Sequence, residues 1–442
     1  MTWRRRDFLV TFGVAGGLAA GGVNALAQGT ASSGGTAADP SRETGRGNGD
    51  PLAQAVQALA SALTESADFI RHHPFYTDDL NRAAGMTFLS RMLLWSLQYK
   101  LNQDPDYPFF RVLDFNTRVG GDNPDQRYLM CPIRGGETYR IWGTKGSLRR
   151  LDLQVYAGTP WRKGAGRSAS ALATEDIQFK ADGSFEITLS PERTPGNWLE
   201  NPPDSTEVLI RQIISDWRNE LPGEVHIDRI GYEGALKPAL TSAEVARRIN
   251  AVAEELKSQT HAWPDQFLTR TAQTIPANTL PPAADLSARG GMAGRYMSLG
   301  HFELADDEAL VVTMWPSPAN YQGIQLMDDW MSSLEYANRQ TSLTREQAYL
   351  SKDGAYHFVV AHRDPGVSNW LDTMGLRHGG IIIRYDGMRE QTIPPNRMPV
   401  AKKITLARLR RVLPKDTPAV TPAQREATIK ERRRHVQRRF GV

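Results

Sequence analysis

The sequence predicts a mainly β protein with α-helical segments, built from two tandem antiparallel β-sandwich domains of jelly-roll-like type. Three observations lead to this prediction: an internal repeat, an apolar alternation of period two along two long regions, and helical periodicity before, between and after those regions. In the repeated β regions apolar and polar residues alternate, which is typical of sheets with one face toward a core and one toward water.

The repeat lies in residues 182–202 and 353–375, which read DGSFEITLSPERTPGNWLENP and DGAYHFVVAHRDPGVSNWLDTMG. Each stretch has an Asp-Gly turn, an alternating strand, a Pro-Gly turn and then Asn-Trp-Leu. The two stretches begin 171 residues apart, and Arg211 corresponds to Arg384 at an offset of 173 residues. An offset that stays almost constant over about 75 residues predicts a duplicated β unit.

The second copy also resembles a known family. The motif DPGVSNWLDTMG at 364–375, with SLEYANRQTSL at 333–343 before it and Arg384-Tyr385 after it, is similar to the bacterial family called domain of unknown function 1214. The resemblance is specific over about residues 290–400 and weaker in the first half, where NWLENPP replaces NWLDT. It implies a β-sandwich of jelly-roll type, and it supplies neither an activity nor catalytic residues.

Composition indicates a globular protein of two or three domains, since the 442 residues are 40% hydrophobic and include 10 Trp. The net charge of +4 is uneven: residues 1–27 carry +2, residues 421–442 carry +5, and the remainder carries −3. The basic character therefore belongs to the ends, and we expect no nucleic-acid partner. The single cysteine, Cys131, excludes an intrachain disulfide and is expected to be a buried apolar residue.

The N-terminus predicts export. Residues 1–27 have the features of a twin-arginine signal peptide: Arg5-Arg6 before Asp-Phe-Leu, a Gly/Ala-rich apolar stretch, and Ala-Leu-Ala as the cleavage site. Residues 28–50 have the composition of a flexible linker. We therefore expect a periplasmic or secreted protein that is a client of the twin-arginine export machinery.

The rest of the chain divides into five predicted segments. They are a helical segment (51–105), the first β-sandwich (106–235), a linking helix and Pro-rich arm (236–289), the second, family-like β-sandwich (290–405) and a basic C-terminal helix (406–442). Capping residues Asp50, Thr241 and Thr421 mark three helix starts. The helix after Thr241 is predicted to end near Lys257, and the predicted strands include 174–180 and 347–350.

Candidate catalytic residues are His362 and Asp364, which follow a predicted strand where a loop begins. They are either acid-base groups or loop residues with Asp364 capping a turn. A metal would need a third ligand such as His378 or Asp372, and no zinc-type spacing is present. We therefore predict no metal site and leave the cofactor open.

Candidate ligand-binding residues come from the repeat and from the family-like loop. They are Asn197, Trp198, Tyr336, Arg339, Asn369, Trp370, Arg384 and Tyr385. The Asn-Trp-Leu units either present Asn and Trp to a sugar or hydrophobic ring, or pack Trp at a sandwich corner while Asn fixes a turn. Arg384, at the end of an apolar run, either pairs with Asp364 or Asp372 or holds a carboxylate or other anionic ligand.

The predicted function is binding of a carbohydrate or hydrophobic ring-type small molecule between or at the ends of the sandwiches. The alternative is a periplasmic hydrolase or lyase on such a ligand, with His362 and Asp364 as acid-base groups. The C-terminal helix either docks through Ile429, Val436 and Phe440, with its Arg432–Arg434 run solvated, or contacts an anionic membrane surface. Association with further copies of the chain, as a homo-oligomer, is a further alternative.

Overall fold

A computed structural model describes residues 49–158, 166–287 and 290–442. The predicted signal peptide and nearly all of the predicted linker lie outside the described residues. The α-helices of the described part are α1 (Pro51–His72), α2 (Asp79–Ser96), α3 (Ser242–Phe267), α4 (Leu409–Val412) and α5 (Pro422–Phe440). The side chains of Asp50, Thr241 and Thr421 accept backbone N–H groups at the starts of α1, α3 and α5, as predicted.

The first sandwich consists of two sheets. Its strands are β1 (Arg111–Leu113), β2 (Gln126–Pro132), β3 (Tyr139–Thr144), β4 (Arg150–Gly158), β5 (Gly166–Leu172), β6 (Ser184–Ser190), β7 (Trp198–Glu200), β8 (Ser205–Ile213) and β9 (Val225–Arg229). The larger sheet has the order β1-β2-β8-β4-β5, and the smaller has the order β7-β6-β3-β9. All their pairings are antiparallel except that of β6 with β7.

The second sandwich repeats this plan. Its strands are β10 (Ala284–Asp285), β11 (Tyr296–Glu303), β12 (Glu308–Met314), β13 (Tyr321–Met327), β14 (Ser342–Thr344), β15 (Tyr356–Ala361), β16 (Trp370–Asp372), β17 (His378–Asp386) and β18 (Val400–Thr405). The sheet orders are β10-β11-β17-β13-β14 and β16-β15-β12-β18, with β15 and β16 again parallel. Strand for strand these orders match those of the first sandwich, as a duplicated unit requires.

Each sandwich has its own core between its two sheets. Side chains that alternate along the strands fill these cores, for example Ile141 and Ile210 in the first and Val312 and Ile383 in the second. Cys131 lies fully buried in the first core, as predicted, and this burial raises the pKa of its thiol. The predicted fold class, two tandem β-sandwiches with helical segments, is confirmed.

A third core joins the two sandwiches, within one compact unit. It forms where the outer faces of the two five-stranded sheets meet α1, α2 and α3. On β8, Leu209 faces this third core while its neighbours Val208 and Ile210 face the first core, and on β17 Ile382 faces it while Ile381 and Ile383 face the second. Helix α2 packs against residues of both sandwiches in this core.

Two predicted strands are wrong, and side-chain hydrogen bonds explain why. At 174–180 the chain makes a short 3₁₀ turn, because the Thr174 hydroxyl bonds both backbone groups of Leu151. At 347–350 it makes a turn in which Gln347 accepts from the Thr344 backbone N–H, and the true edge strand is β14. Both side chains compete with the sheet ladder for backbone partners.

Helix α3 is longer than predicted, because its buried face continues through Gln259 and Thr260 to Phe267 and the helix runs past Pro264. No helix within the three described ranges is both long enough and apolar enough to cross a bilayer.

The C-terminal helix α5 docks through arginines as well as through apolar residues. Val436 is buried, and the ring of Phe440 meets that of Phe115 at 6.0 Å. Arg432 is also buried and donates to the Tyr336 carbonyl at 2.9 Å, so the expectation that it is solvated is wrong. The aliphatic part of a buried Arg packs well, and this guanidinium also donates to the carbonyl and the hydroxyl of Ser342.

Candidate ligand-binding site

A cavity of about 420 Å³ lies between the two sandwiches, where the outer faces of their five-stranded sheets meet α2 and α3. Its size is within the usual range for small-molecule sites. Its apolar and aromatic wall includes Trp95, Leu113, Met130, Leu209, Trp263, Phe267, Met297, Leu299 and Met331. Its polar groups include Asp122, Tyr128, Tyr156, Arg211, Arg295 and Arg384.

Arg211 reaches the cavity from the centre of the first five-stranded sheet. It lies on β8 with its side chain on the outer face, and the residue is only 7% exposed. One guanidinium nitrogen donates to Oε1 of Gln154 at 2.7 Å, and another donates to the Tyr156 hydroxyl at 3.0 Å. Gln154 and Tyr156 lie on the neighbouring strand β4, so the sheet itself holds the guanidinium in place.

Arg384 is the counterpart of Arg211 in the second sheet. Its guanidinium donates to Oε1 of Gln325, on the neighbouring strand β13, and to the carbonyl of Gly121. Gln325 lies opposite Ile382, two residues before Arg384, just as Gln154 lies opposite the residue two before Arg211. The duplicated unit therefore places the same Arg–Gln pair on both walls of one cavity.

The two duplicated arginines differ in their partners from Arg295, another arginine of the wall. Arg295 pairs with Asp386, with its Nε 2.9 Å from a carboxylate oxygen, and lies 3.7 Å from Asp152. Among the described residues, no carboxylate lies within ion-pair distance of Arg211 or Arg384, whose acceptors are all neutral. Positive charge therefore exceeds negative charge at this wall of the cavity.

Among the described residues of the wall, Asp122 is the one that carries a carboxylate, and this carboxylate is already hydrogen-bonded. Its two oxygens accept the backbone N–H and the hydroxyl of Ser333, at 2.9 and 2.7 Å. Burial raises the pKa of Asp122, while these two hydrogen bonds and the charges of Arg118 and Arg91 act in the opposite direction. Asp122 thus belongs to the junction with the 333–343 loop and does not neutralise the duplicated pair.

Tyr128 lies within the field of both duplicated arginines. Burial raises the pKa of its phenol, and the charges of Arg384 and Arg211 oppose that shift. Its hydroxyl oxygen accepts the backbone N–H of Asn123 at 3.0 Å. The two guanidinium groups therefore act on a common region of the cavity.

A Gly-Gly turn lets the cavity wall close. Gly120 and Gly121 have φ of +66° and +64°, the left-handed region that favours glycine. A Cβ on Gly120 would lie 2.8 Å from the Trp263 ring, and one on Gly121 would lie 3.0 Å from Ile382. Sequence reasoning missed this turn, although the Gly-Gly pair before the alternating strand β2 is a signal for a close backbone approach.

The repeated asparagines have equivalent structural roles away from the cavity. Asn369 bonds both backbone groups of Tyr349, accepting its N–H and donating to its carbonyl, each at 2.8 Å. Asn197 does the same with Gln178, at 2.7 and 2.9 Å. Each amide thus ties the Asn-Trp-Leu loop to the segment that precedes the hairpin, which favours the structural interpretation of the repeat.

The repeated tryptophans also have partners within their own sandwiches. The indole N–H of Trp370 donates to the Ala361 carbonyl at 3.0 Å, and Arg425 of α5 lies over its ring at 5.2 Å. The indole N–H of Trp198 donates to the Ser190 hydroxyl at 3.1 Å. Neither ring lines the cavity in the described structure.

The remaining ligand candidates lie at separate places. Tyr336 is buried in the first core, Tyr385 is buried in the second, and Arg339 pairs with Asp372 at 2.8 Å. Of the eight ligand-binding candidates, Arg384 lines the cavity in the described structure.

His362 and Asp364 have separate partners. His362 bonds the Thr373 hydroxyl at 2.6 Å and the Leu304 carbonyl at 3.2 Å. Asp364 accepts the N–H of Gly366 and pairs with Arg425 of α5 at 2.9 Å. The Gly366 contact agrees with a turn-capping role for Asp364.

The expected ion pair of Arg384 with Asp364 or Asp372 is wrong, because both carboxylates pair with other arginines. His378, considered as a third metal ligand, bonds Asp329 instead. Within the described ranges no group of three or more His, Cys, Asp or Glu side chains could hold a metal ion.

Comparisons with known proteins agree with this fold and leave the activity open. Residues 132–214 match the model of a family described as protein of unknown function DUF1214. The match confirms the resemblance but falls in the first sandwich, whereas the motifs were most specific in the second. No curated protein matches the chain.

Solved structures that are similar to the chain include the following two. An uncharacterized protein from Burkholderia cenocepacia is 28% identical, with a TM-score of 0.73, over 81% of this chain and 99% of that chain. A structural-genomics target from Vibrio parahaemolyticus is 11% identical, with a TM-score of 0.42, over 80% of this chain and 99% of that chain. The first shows that the tandem sandwich with its helices is an established fold.

Proposed function

We propose that this DUF1214-like chain is an exported binding protein that holds a hydrophobic ring-type small molecule between its two sandwiches. The observation that carries the proposal is the cavity of about 420 Å³ with tryptophan, phenylalanine and methionine side chains in its wall. Between the two ligand classes predicted from the sequence, this wall favours the hydrophobic ring over the carbohydrate. Enclosed apolar surface with a few fixed polar groups is typical of sites for small organic ligands.

The wall is held in place by rigid elements, which supports binding without large rearrangement. Trp95 comes from α2, Trp263 from α3, and Leu209 and Leu299 from the central parts of two sheets. Leu209 is 2% exposed, so its position is fixed by packing. A wall fixed in this way loses little side-chain entropy when a ligand binds.

Export by the twin-arginine route to the periplasm or outside is part of the proposal, and its support is the N-terminal sequence. Contact of α5 with an anionic surface stays a prediction, with the exposed Lys430, Arg433, Arg434 and Arg438 as the groups available for it. A homo-oligomer likewise stays a prediction.

No observation favours the hydrolase or lyase alternative. His362 bonds Thr373 of the second sandwich, whereas Asp364 bonds Arg425 of α5, and no hydrogen bond joins His362 to Asp364. Neither of them lines the cavity in the described structure.

The test is binding of N-phenyl-1-naphthylamine, a neutral naphthalene probe whose fluorescence rises in an apolar site. Leu299→Trp places a larger ring in the cavity and is expected to weaken probe binding by about tenfold or more. Leu350→Trp is the matched control, because Leu350 is 44% exposed and lies outside the cavity wall. Equal probe affinity in the two variants would contradict the proposal.

A further inference from the structure

We propose that the ligand of this cavity carries one anionic head group, a carboxylate or sulfonate, bound between Arg211 and Arg384. This inference rests on the proposed function and adds the chemical class of the ligand. It follows from the duplicated Arg–Gln pair, from the charges in the wall and from the unused donors of the two guanidinium groups.

The first argument is electrostatic. A guanidinium taken out of water loses several kcal/mol of hydration unless an opposite charge offsets the loss. Arg295, in the same wall, has that offset from Asp386. Arg211 and Arg384 have only amide, hydroxyl and carbonyl oxygens as hydrogen-bond acceptors, so neither guanidinium has a carboxylate in contact, and the charge of Asp386 acts on Arg211 from beyond ion-pair distance.

The second argument concerns hydrogen-bond capacity. Each guanidinium has five N–H donors in a planar fork. Arg211 and Arg384 each make two hydrogen bonds to described residues, so donors remain on both. A carboxylate or sulfonate has several acceptor oxygens whose geometry matches such a fork.

The third argument is orientation. Gln154 and Gln325 fix the two guanidinium groups on facing sheets, and the hydroxyl of Tyr128 lies in the field of both. The aromatic part of the wall comes from the helical side, with Trp95 and Trp263. An aromatic acid would place its anion against the sheets and its ring against the helices.

The test compares two probes that share a ring and differ in charge. Displacement of N-phenyl-1-naphthylamine is measured with 2-naphthoate and with 2-naphthamide on the unmodified protein. The anion is expected to displace the probe at a concentration lower by about tenfold or more. Equal potency of the acid and the amide would overturn the inference, and this comparison requires no variant.

Variants then assign the effect to the two arginines. Arg211→Met and Arg384→Met are each expected to reduce the preference for 2-naphthoate over 2-naphthamide, and the double variant is expected to abolish that preference. Arg140→Met is the control, because the half-buried Arg140 lies outside the cavity wall and pairs with Glu186 on the neighbouring strand. A preference that survives in the double variant would also overturn the inference.

The outcome separates this inference from the proposed function. Neutral-probe binding that Leu299→Trp weakens, together with equal potency of acid and amide, would reject the anionic head group alone. Failure of Leu299→Trp to weaken the neutral probe would reject the cavity as the binding site.

Discussion

Protonation of one buried histidine is expected to destabilise the protein at low pH. His435, on α5, is 2% exposed, stacks on the Trp217 ring at 5.1 Å and accepts the Nε–H of Arg439 at 3.3 Å. Burial lowers the pKa of His435 to about 2, and the positive charges of Arg439, Arg438 and Arg432 act in the same direction. The folded protein therefore keeps this imidazole neutral at any pH in common use.

The sign and size of the effect follow from proton linkage. In the unfolded chain the pKa of His435 is near 6.5, so below that pH the unfolded state binds a proton that the folded state does not bind. The free energy of unfolding therefore falls as the pH falls, by up to about 1.4 kcal/mol per pH unit from this one group. Between pH 7 and pH 5 the loss is about 2 kcal/mol, whatever the folded pKa, provided it lies well below 5.

The variant His435→Gln isolates this contribution, because glutamine offers an acceptor to Arg439 and does not titrate. Urea unfolding of both proteins at pH 7 and pH 5 gives the difference in the free energy of unfolding at each pH. That difference is expected to shift by about 2 kcal/mol in favour of the variant at pH 5. His226→Gln is the control for removing an exposed imidazole. If the free energies of unfolding of wild type and His435→Gln changed with pH in parallel, the reasoning would be refuted.

Three further predictions concern the repeated loop, the glycine turn and export. Asn369→Ala is expected to cost about 2 kcal/mol of stability, because Asn369 is 3% exposed and its loss leaves the backbone groups of Tyr349 without this partner. Asn197→Ala is expected to cost less, and thermal unfolding of the two variants would rank them. Gly120→Ala is expected to lower the melting temperature more than Gly183→Ala, since both glycines have positive φ but a Cβ on Gly183 meets nothing within 4 Å; equal shifts would contradict the Trp263 contact. Replacing Arg5 and Arg6 by lysine is expected to retain the protein in the cytoplasm, and cell fractionation that finds normal export would exclude the twin-arginine route.

Much of the fold could be predicted because period-two alternation and a near-constant offset between the two copies can be read directly from the sequence. They locate β6 and β15, and the shared topology follows once the duplication is recognised. The failures at Thr174 and Gln347 have a different origin, because single side-chain hydrogen bonds there take backbone groups away from the ladder. The Thr174 bond depends on which strand lies opposite, and the Gln347 bond is a local contact within a turn, so alternation alone reveals neither.

The candidate site was only partly predictable. Arg384 and Arg211 could be identified, since the offset marks them as equivalent. Their partners could not, because the acceptor Gln325 lies on a neighbouring strand and the carbonyl of Gly121 comes from the first sandwich. Trp263 was missed because α3 was expected to end before it, and only the packed helix brings its ring to the cavity.

The packing of the two copies explains why a duplicated protein would have one site. Ile210, before Arg211, fills the first core, and Ile383, before Arg384, fills the second. Arg211 and Arg384 therefore both project from outer faces. Those two outer faces meet each other under the helices, which brings the equivalent positions to one cavity. A carboxylate bound there would contact both copies at once, and loss of either arginine would weaken the same binding event.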